Sequence, residues 1–462
     1  MKVALVKSKD YVCDENSAGI TAIPKLSCQI FLAASYCRSI GIQADVFNLR
    51  RNSSFSCGEY DVVAAWLPLY EGFYDGAGYL EKAKRAGKIT VMVLNDPLET
   101  LEMEAMARLP YIDYAIRLHE REFTLGFLIK ELEKGNRGNF SSNSGLIYRN
   151  GGGLCDTGER PPFSDLKHLP STVDLLKNQR IEEYKEIFIE TGRGCPFGCS
   201  FCFYSGTRQR KRSFDDILSE LNAVGGRAQH IWLHDLNMLA DEKWVNDLCD
   251  TLIKAGAPAK WGTDARLDQC ANLELLKKMK EAGCSLIVFG IESADKEILK
   301  KINKRVDFEL LDKALSNCRK AGIKSELNIM YGFPWDNNET MKKTEEFIKK
   351  YPVTCIMIVR PLRGTSLYDE YQKLGLMKED MAIDSYIFSK RYPAFPTLYL
   401  TKEEVYKWHK RFEILASRYS FKRKVNEAGF INAVVYWVKI KGFKLFNCKK
   451  IIEHILINSK NL

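Results

Sequence analysis

The 462-residue sequence contains no run of about 18 to 20 uninterrupted apolar residues, the length that a membrane-spanning helix needs. Its first residues, MKVALVKSKDYV, place Lys7 before an apolar core of signal-peptide length could form, so a secretory leader is not expected. Histidine is scarce, and none of the six histidines has an aspartate two positions before it. These absences predict a protein that does not span the membrane and that is cytoplasmic.

Neither apolar nor charged residues are in excess, because they make up 45% and 28% of the chain. This composition is typical of a globular protein and excludes collagen-like, disordered and small disulfide-stapled chains. At this length two or three domains are expected. The fourteen cysteines are expected to be reduced, most of them as small buried apolar side chains.

Net positive charge is nearly absent from the body of the chain. The total is +10, but residues 401–462 hold 14 Lys and Arg against 5 Asp and Glu, a net +9 that leaves +1 for the first 400 residues. The body is therefore not expected to bind nucleic acid through its net charge. Residues 430–457 are expected to form either a helix packed on the protein or a helix lying on anionic lipid, with Trp437 at the headgroups.

The first 135 residues alternate strand and helix signals. Short apolar runs rich in β-forming residues lie at 2–6, 44–49, 61–68, 89–94 and 114–118. Segments with helical periodicity lie at 26–41, 79–87 and 120–135. This α/β pattern predicts an N-terminal doubly wound parallel sheet, Rossmann or flavodoxin-like, over 1–135, which binds ligands at the carboxyl ends of its strands.

Residues 136–183 are rich in Gly, Asn, Ser and Pro and are predicted to be a linker with a short hairpin. A second alternation follows over 184–375. Its strand signals lie at 186–190, 230–235, 259–266, 285–293, 324–334 and 354–361. Six βα units in a row predict a partial (β/α)6 barrel with its active site at the carboxyl ends of the strands. Residues 376–462 are predicted to be a mostly helical, basic C-terminal region.

Cys195, Cys199 and Cys202 stand in IETGRGCPFGCSFCFYSG, a CxxxCxxC spacing directly after the first strand of the second alternation. Three thiolates on one loop can hold three irons of a cubane [4Fe-4S] cluster and leave the fourth iron open. A structural zinc site or coincidence is the alternative, but structural zinc favours four ligands in paired spacings, and the chain has no second pair.

The loop, with the aromatic Phe201 before its last cysteine, resembles that of the radical S-adenosylmethionine superfamily over residues 184–375. Further stretches agree in order: IWLHDLN, WGTDARLD, FGIES, NIMYGFP and RGTSLY. The N-terminal alternation, with IDYAIRLHEREFTLGFLIKEL, resembles the subfamily with an N-terminal cobalamin-binding domain. The resemblance implies a 4Fe-4S cluster, S-adenosylmethionine and cobalamin as cofactors, and an electron donor such as flavodoxin or ferredoxin.

The resemblance also implies that the three cysteines ligate iron and that seven residues contact S-adenosylmethionine. Phe201 would pack near the adenine, Asp235 would accept a hydrogen bond from the ammonium group, Arg266 would pair with the carboxylate, Glu292 and Ser293 would contact the ribose and methionine portion, and Gly332 and Phe333 would flank the adenine. For each polar residue the alternative is an ordinary strand-end group whose hydrogen bonds are already satisfied. His230 and His234 are interpreted as groups of the core or as groups that support the site from behind, and Cys355 is interpreted as a buried inert thiol.

The sequence departs from the subfamily in several places. It lacks a DxHxxG motif, so no histidine of that motif would bind cobalt, and the turn that often reads GEGE is LHER here. Leu236 follows Asp235 where the family has a second acidic residue, and RGTSLY replaces PGTPLY. Cobalamin would lie between the two domains. Candidate contacts are the loops at Ser8 to Asp10, at Leu69 and Tyr70, and at Asn95 and Asp96.

The resemblance implies a cobalamin-dependent radical enzyme, a methyltransferase that acts on a small molecule or peptide. Relatives also catalyse cyclisations and rearrangements, which remain an alternative. An RNA methylthiotransferase would need three more cluster cysteines in the N-terminal domain, whereas Cys28 and Cys37 lie in an apolar helix. A non-catalytic sensor of cobalamin or of a cluster would not need the set of nucleotide contacts.

Overall fold

A computed structural model shows the fold. It describes residues 1–7, 12–13, 20–21, 25–26, 28–48, 55–67, 72–94, 101–117, 119–377 and 395–428. The segment 430–457, for which packing on the protein and binding to lipid are the two expectations, lies outside these residues.

The first part of the molecule, which we call the N-terminal half, runs to Asp156 and is a mostly parallel sheet covered by helices. Its elements are β1 (Lys2–Lys7), β2 (Val12–Cys13), β3 (Ile20–Thr21), β4 (Lys25–Leu26), α1 (Cys28–Ser39), β5 (Gln43–Asn48), β6 (Val62–Leu67), α2 (Gly72–Arg85), β7 (Ile89–Leu94), α3 (Leu101–Arg108), β8 (Tyr114–Ile116), α4 (Arg121–Glu133), β9 (Leu146–Asn150) and β10 (Gly153–Asp156). The sheet order is β10-β9-β8-β7-β6-β1-β5, and the strands from β5 to β8 are parallel. This flavodoxin-like order has its topological switch between β1 and β6.

The central strands β1, β6 and β7 are apolar along almost their whole length because helices cover both faces of the sheet. Val3 and Leu5 belong to the core on the side of α1 and α4, whereas Ala4 and Val6 belong to the core on the side of α2 and α3. The predicted doubly wound sheet is confirmed.

A hairpin extends this sheet beyond the boundary expected at residue 135. β9 pairs antiparallel with β8, and β10 pairs antiparallel with β9. The guanidinium of Arg149 donates to the backbone carbonyls of Ile112 at 2.8 Å and Leu109 at 3.2 Å, which ties the hairpin to the sheet. The first part of the predicted linker therefore belongs to the N-terminal sheet, which ends at Asp156.

The second half is the predicted partial barrel. Its elements are α5 (Val173–Lys177), β11 (Glu186–Glu190), β12 (Gly192–Arg193), β13 (Arg210–Lys211), α6 (Phe214–Val224), β14 (His230–His234), α7 (Glu242–Lys254), β15 (Trp261–Ala265), α8 (Leu273–Glu281), β16 (Cys284–Glu292), α9 (Lys296–Lys301), α10 (Phe308–Ala321), β17 (Lys324–Tyr331), α11 (Asn338–Lys350), β18 (Val353–Ile358), α12 (Ser366–Lys373) and α13 (Lys402–Ala428). Six parallel strands follow one another in the order β18-β17-β16-β15-β14-β11. Their carboxyl ends form one rim, where a barrel of this kind has its active site.

A seventh strand from the N-terminal half joins the barrel sheet. β4 pairs in parallel with β11, with Lys25 opposite Glu186 and Leu26 opposite Ile187. Leu26 and the α1 residue Phe31 belong to the same continuous core as Ile187. The two halves therefore share one hydrophobic core, which fixes the carboxyl ends of both sheets relative to each other.

The helical C-terminal region is present as α13, which packs on the end of the barrel. Val405 and Phe412 are fully buried, and the ring centroid of Phe412 lies 4.7 Å from that of Tyr331. Arg411 also pairs with Glu345 of α11 at 2.8 Å. Among the residues with a described structure, no helix has the length and apolar character needed to cross a membrane.

Candidate active site

The three cysteines lie on a loop that is closed by a two-stranded ribbon. β12 and β13 pair antiparallel, and residues 194–209 form the loop between them. Gly194 has a φ of +86°, and a Cβ there would lie 2.1 Å from the carbonyl oxygen of Arg208, so only glycine fits where the loop leaves the ribbon. Inside the loop, the amide of Cys195 donates to Oγ1 of Thr207 at 3.0 Å.

The outer edge of this cysteine loop is held by backbone hydrogen bonds to two later segments. The amide of Ser200 donates to the carbonyl of Ile302 at 2.9 Å, and the amide of Leu367 donates to the carbonyl of Ser200 at 2.9 Å. Nδ2 of Asn303 donates to the carbonyl of Gly198 at 2.7 Å. The positions of the cysteines are therefore determined by residues more than 100 positions away along the chain.

All three cysteines are free thiols. Burial raises the pKa of Cys199, and it raises the pKa of Cys202 to about 11. The cations of Lys304 and Arg266 act on the pKa of Cys199 in the opposite direction. Binding of iron would therefore release protons from these thiols, and the two cations would stabilise the negative charge that results.

The spacing of the cysteines argues against a single metal ion. In the described part of the chain, Glu120, Glu122 and His168 form the one group of three potential ligand atoms that lie within 4.8 Å of one another. The three cysteine sulfurs do not form such a group, although four-coordinate zinc needs its ligands close together. At least one pair of these sulfurs is therefore more than 4.8 Å apart, and three thiolates on one loop fit a cubane cluster instead.

Arg266 lies against the cysteine loop at the end of β15. Its guanidinium carbon is 3.9 Å from the ring centroid of Phe197, which is part of the loop. The same guanidinium donates to the carboxylate of Asp268 and to the carbonyl of Arg305, both at 3.2 Å. The structure thus brings Arg266 to the cysteines and fixes its orientation by stacking and hydrogen bonds.

Glu292 and Ser293 lie at the carboxyl end of β16, on the same rim. Glu292 has a φ of +70°, unusual for a residue other than glycine, at a register shift between β16 and β17. Its carboxylate accepts a hydrogen bond from Nζ of Lys304 at 3.2 Å, and its charge raises the pKa values of nearby loop thiols. Oγ of Ser293 accepts from the amide of Asp295 at 3.1 Å. Strained backbone of this kind is concentrated at functional sites.

Asp235 differs from the other predicted contacts because its carboxylate already has several partners. The side chain is completely buried and accepts hydrogen bonds from Nζ of Lys211 at 2.6 Å, Nε2 of Gln209 at 3.3 Å and the amide of Asn237 at 3.0 Å. Lys211 and Gln209 belong to the ribbon and its loop. The geometry therefore supports a role for Asp235 in tying the ribbon to β14.

The expected adenine contacts lie together beside the cysteine loop. The ring centroids of Phe201 and Phe333 are 6.4 Å apart in an edge-to-face arrangement. Gly332 has a φ of +83°, and its amide and that of Phe333 donate to the carboxylate of Asp336 at 2.7 and 2.9 Å. Sequence reasoning missed Asp336, whose pKa burial raises to about 6. In the sequence, the only indication of this role is that an acidic residue stands shortly after the GFP turn.

Sequence reasoning also missed an ion-pair network that joins the two halves. Nη1 of Arg193 lies 2.7 Å from Glu120 and 2.8 Å from Glu122, and its Nε lies 2.7 Å from Glu190. Arg210 pairs with Glu120 as well. Although burial opposes ionisation, the charge of Arg193 holds the pKa of Glu122 far below its usual range. The two glutamates of LHERE, just before and within the first turn of α4, were the available signal.

A cavity of about 70 Å³ opens where the carboxyl ends of the two sheets meet. The N-terminal half contributes Trp66 at the end of β6 and Gln29 at the start of α1, and the barrel half contributes Tyr204, Glu190 and His234. His234 lines this cavity, in line with the supporting place beside the site that the sequence allowed, and its buried Nδ1 has no hydrogen-bond partner among the residues that the structure describes. His230 is exposed at the start of β14 and is not part of the core.

The loops expected to contact cobalamin lie outside the described residues. They are the loops at Ser8 to Asp10, at Leu69 and Tyr70, and at Asn95 and Asp96. They follow β1, β6 and β7, the strands at and beside the topological switch of the N-terminal sheet. The expected contacts therefore stay predictions.

Residues 189–348 match the family model of the Radical SAM superfamily. The chain is 28% identical over 307 residues to an uncharacterized methyltransferase of Pyrococcus horikoshii, covering 64% of this chain and 66% of that protein. It is 27% identical over 281 residues to the bacteriochlorophyllide d C-8(2)-methyltransferase of Chlorobaculum tepidum, covering 55% of this chain and 61% of that protein. The chain thus spans less than two thirds of the length of either relative.

The fold is shared with a solved radical S-adenosylmethionine methyltransferase, TsrM from Kitasatospora setae, whose structure has cobalamin and a [4Fe-4S] cluster bound. The TM-score is 0.65 at 14% identity, over 87% of this chain and 84% of that one. The match to the family model covers residues 189–348, and over this span it bears out the superfamily that the sequence suggested.

Proposed function

We propose that the protein is a cobalamin-dependent radical S-adenosylmethionine methyltransferase that acts on a small molecule or peptide. The observation that carries this proposal is the cysteine loop, held at the carboxyl ends of the barrel strands and facing the N-terminal half. Cys195, Cys199 and Cys202 would hold a [4Fe-4S] cluster. An electron donor such as flavodoxin or ferredoxin and a cytoplasmic location are part of the proposal.

When bound, the cluster supplies one electron that cleaves S-adenosylmethionine into methionine and a 5′-deoxyadenosyl radical. The chain's own residues position the reactants and exclude water. Arg266 and Lys304 would stabilise the thiolates, because their positive charges lie close enough to lower the pKa of Cys199. Glu292, paired with Lys304, keeps this part of the rim close to electrical balance.

The same rim would bind S-adenosylmethionine. Phe201, Gly332 and Phe333 would contact the adenine, since the two rings lie edge to face beside a turn fixed by Asp336. Glu292 and Ser293 would contact the ribose and methionine portion, and Arg266 would pair with the carboxylate. The ammonium contact proposed for Asp235 would require displacement of Lys211, which lies 2.6 Å from its carboxylate.

Methyl transfer is favoured by the relatives and by the N-terminal half. Both curated relatives are named as methyltransferases, and the solved structure with the shared fold holds cobalamin. Cobalamin is far larger than the cavity of about 70 Å³ between the halves, so it would lie over the carboxyl ends of the N-terminal strands, next to Trp66 and Gln29 at the mouth of that cavity. An RNA methylthiotransferase is less well supported, because Cys28 and Cys37 are buried in α1, where burial raises both pKa values.

The test is an anaerobic assay of the reconstituted protein with S-adenosylmethionine and a chemical reductant, with and without hydroxocobalamin. The proposal expects 5′-deoxyadenosine in both samples and S-adenosylhomocysteine only when cobalamin is present. A protein with a full cluster that forms neither product would contradict it. If the protein forms 5′-deoxyadenosine but does not bind added cobalamin, it is a radical enzyme, and the proposal of methyl transfer is wrong.

A further inference from the structure

We infer that residues 296–305 form the docking surface for an acidic electron-carrier protein. We call this stretch, KEILKKINKR, the basic segment; it comprises α9 and the loop after it. The inference rests on the proposed function, because a carrier is needed only if the cysteine loop holds a cluster that must be reduced. What the structure adds is the place where the carrier binds.

The basic segment stands out in charge from the rest of the body. It contains Lys296, Lys300, Lys301, Lys304 and Arg305 against a single carboxylate, Glu297. Its net charge of +4 exceeds the +1 of the first 400 residues as a whole. By contrast, the lysines of α11 alternate with glutamates and pair with them, as in an ordinary solvated helix.

The basic segment is bonded directly to the outer edge of the cysteine loop. The carbonyl of Ile302 accepts the amide of Ser200, which lies between two of the cysteines, and the side chain of Asn303 donates to the carbonyl of Gly198. Pro196 and Gly198 are exposed at this edge. A protein bound to the segment would therefore lie next to the loop on its solvent side, opposite the cavity between the halves.

One cation of the segment is paired within the active site, and the other four are exposed to solvent. Lys304 is mostly buried and pairs with Glu292. The other four, Lys296, Lys300, Lys301 and Arg305, are exposed, and none of them forms an ion pair with a residue that the structure describes. Cations that are held near the loop without carboxylate partners are available for a negatively charged surface.

The docking face also has an aromatic contact. Nζ of Lys301 lies 4.7 Å above the ring of Trp335, and these residues, with Ser200 and Leu367, line a shallow surface depression. Glu370 at its edge is the nearest carboxylate of that depression. A depression lined by an aromatic ring and a lysine beside it suits protein docking better than an isolated patch of lysines would.

The electron balance identifies the kind of partner. Each reductive cleavage takes one electron from the carrier, breaks the sulfur–C5′ bond of S-adenosylmethionine and yields methionine and the 5′-deoxyadenosyl radical, with no proton transferred. The carrier is left oxidised by one electron. A reduced flavodoxin, with a strongly negative surface, supplies this electron and complements the charge of the segment.

The test compares the Lys300→Glu/Lys301→Glu variant with an Arg319→Glu/Lys320→Glu control. Both pairs are exposed and lie in the last turn of a helix, but only the first borders the cysteine loop. The dissociation constant of a purified acidic flavodoxin is measured by calorimetry at low and high salt, with the anaerobic protein carrying its reconstituted cluster. The first variant should bind at least about tenfold more weakly at low salt, and the control should bind like wild type.

A second readout separates this inference from the proposed function. Formation of 5′-deoxyadenosine driven by reduced flavodoxin should fall with the first variant, whereas formation driven by dithionite should stay unchanged. Equal flavodoxin affinity in all three proteins, or binding of an RNA oligonucleotide that depends on the same lysines, would overturn the docking surface. Failure with dithionite in the wild type would instead overturn the proposed function.

Discussion

The two halves of the molecule hold the cysteine ribbon through carboxylates that pair with different arginines. The N-terminal half presents the carboxylates of Glu120 and Glu122, which pair with Arg193 and Arg210 of the ribbon. The barrel half holds the next residue after the ribbon, Arg212, through the carboxylate of Glu220, and both of these side chains are 1% exposed. The ribbon is thus clamped between carboxylates from both sides.

This difference indicates that the barrel alone does not set the position of the cysteines. Buried ion pairs contribute little net stability, because desolvation offsets most of their attraction, but removal of one partner leaves an uncompensated buried charge. Such pairs therefore specify a geometry. We conclude that docking of the N-terminal half is part of the assembly of the cysteine loop.

The largest effect is expected from a change in the ribbon itself. Gly194→Ala would place a Cβ 2.1 Å from a backbone carbonyl at a φ of +86°, so the loop could not close. We expect almost complete loss of iron binding after anaerobic reconstitution. Gly206→Ala is the matched control, because Gly206 also has a positive φ but no atom within 4 Å of the added Cβ. If both variants bind iron like wild type, the ribbon does not determine the site.

The next effect compares the two ion-pair clamps on the ribbon, which are the pair of Glu122 with Arg193 and the pair of Glu220 with Arg212. Glu220→Gln removes the carboxylate that pairs with the buried Arg212, and we expect it to lower the free energy of unfolding by about 3 kcal/mol. Glu122→Gln should lower it by less, because Arg193 keeps Glu120 and Glu190 as partners. Hydrogen exchange should distinguish them: Glu122→Gln should lose protection in α4 and the ribbon, and Glu220→Gln in α6 and the ribbon. Identical exchange patterns would show that the clamps are not separate.

Acid should weaken the ion pair between Glu122 of the N-terminal half and Arg193 of the ribbon. Arg193 depresses the pKa of Glu122 in the folded state, so the stabilisation from this carboxylate is complete above the ordinary glutamate pKa of about 4.3. It is lost as pH falls below that value toward the depressed pKa. Unfolding measured from pH 7 to pH 3 should therefore show a smaller acid-induced loss of stability in Glu122→Gln than in wild type.

The smallest effect concerns Glu102 of α3, a buried carboxylate that, unlike Glu122, forms no ion pair with any residue that the structure describes. Burial raises its pKa to about 8, and within the described part of the chain its Oε2 has no hydrogen-bond partner. Because the folded state holds the proton more tightly, stability from this group is lost as pH rises from about 4.5 to 8. Glu102→Gln should reduce the loss of stability between pH 5 and pH 9 by on the order of 2 kcal/mol.

Glu104→Gln on the same helix is the control for this measurement. Glu104 is half-buried and pairs with Arg108. Its substitution should leave the dependence of unfolding on alkaline pH like that of wild type. A Glu102→Gln variant with an unchanged profile would show that Glu102 does not hold a proton at neutral pH.

The sequence was sufficient where the signal is local. The strands at 89–94 and 186–190 were predicted with the bounds that the structure gives, because apolar runs between turn signals depend only on neighbours in sequence. The CxxxCxxC spacing likewise identified the loop. The parallel pairing of the strands likewise followed from the βα alternation.

The sequence was insufficient where partners are distant. Nothing near Lys25 or Leu26 indicates that they pair with β11, and nothing near Asp235 indicates that Lys211 takes its carboxylate. The clamp on Arg193 brings together residues about 70 positions apart. Such contacts depend on how two packed halves meet, which residue patterns along one segment do not contain.

The most direct test of the central claim is the iron and acid-labile sulfide content of the anaerobically reconstituted protein. It is measured in the wild type and in the Cys195→Ala, Cys199→Ala, Cys202→Ala triple variant. The wild type should contain about four irons and four sulfides per chain, and the triple variant almost none. About four irons per chain in the triple variant would contradict the assignment of the cluster to this loop.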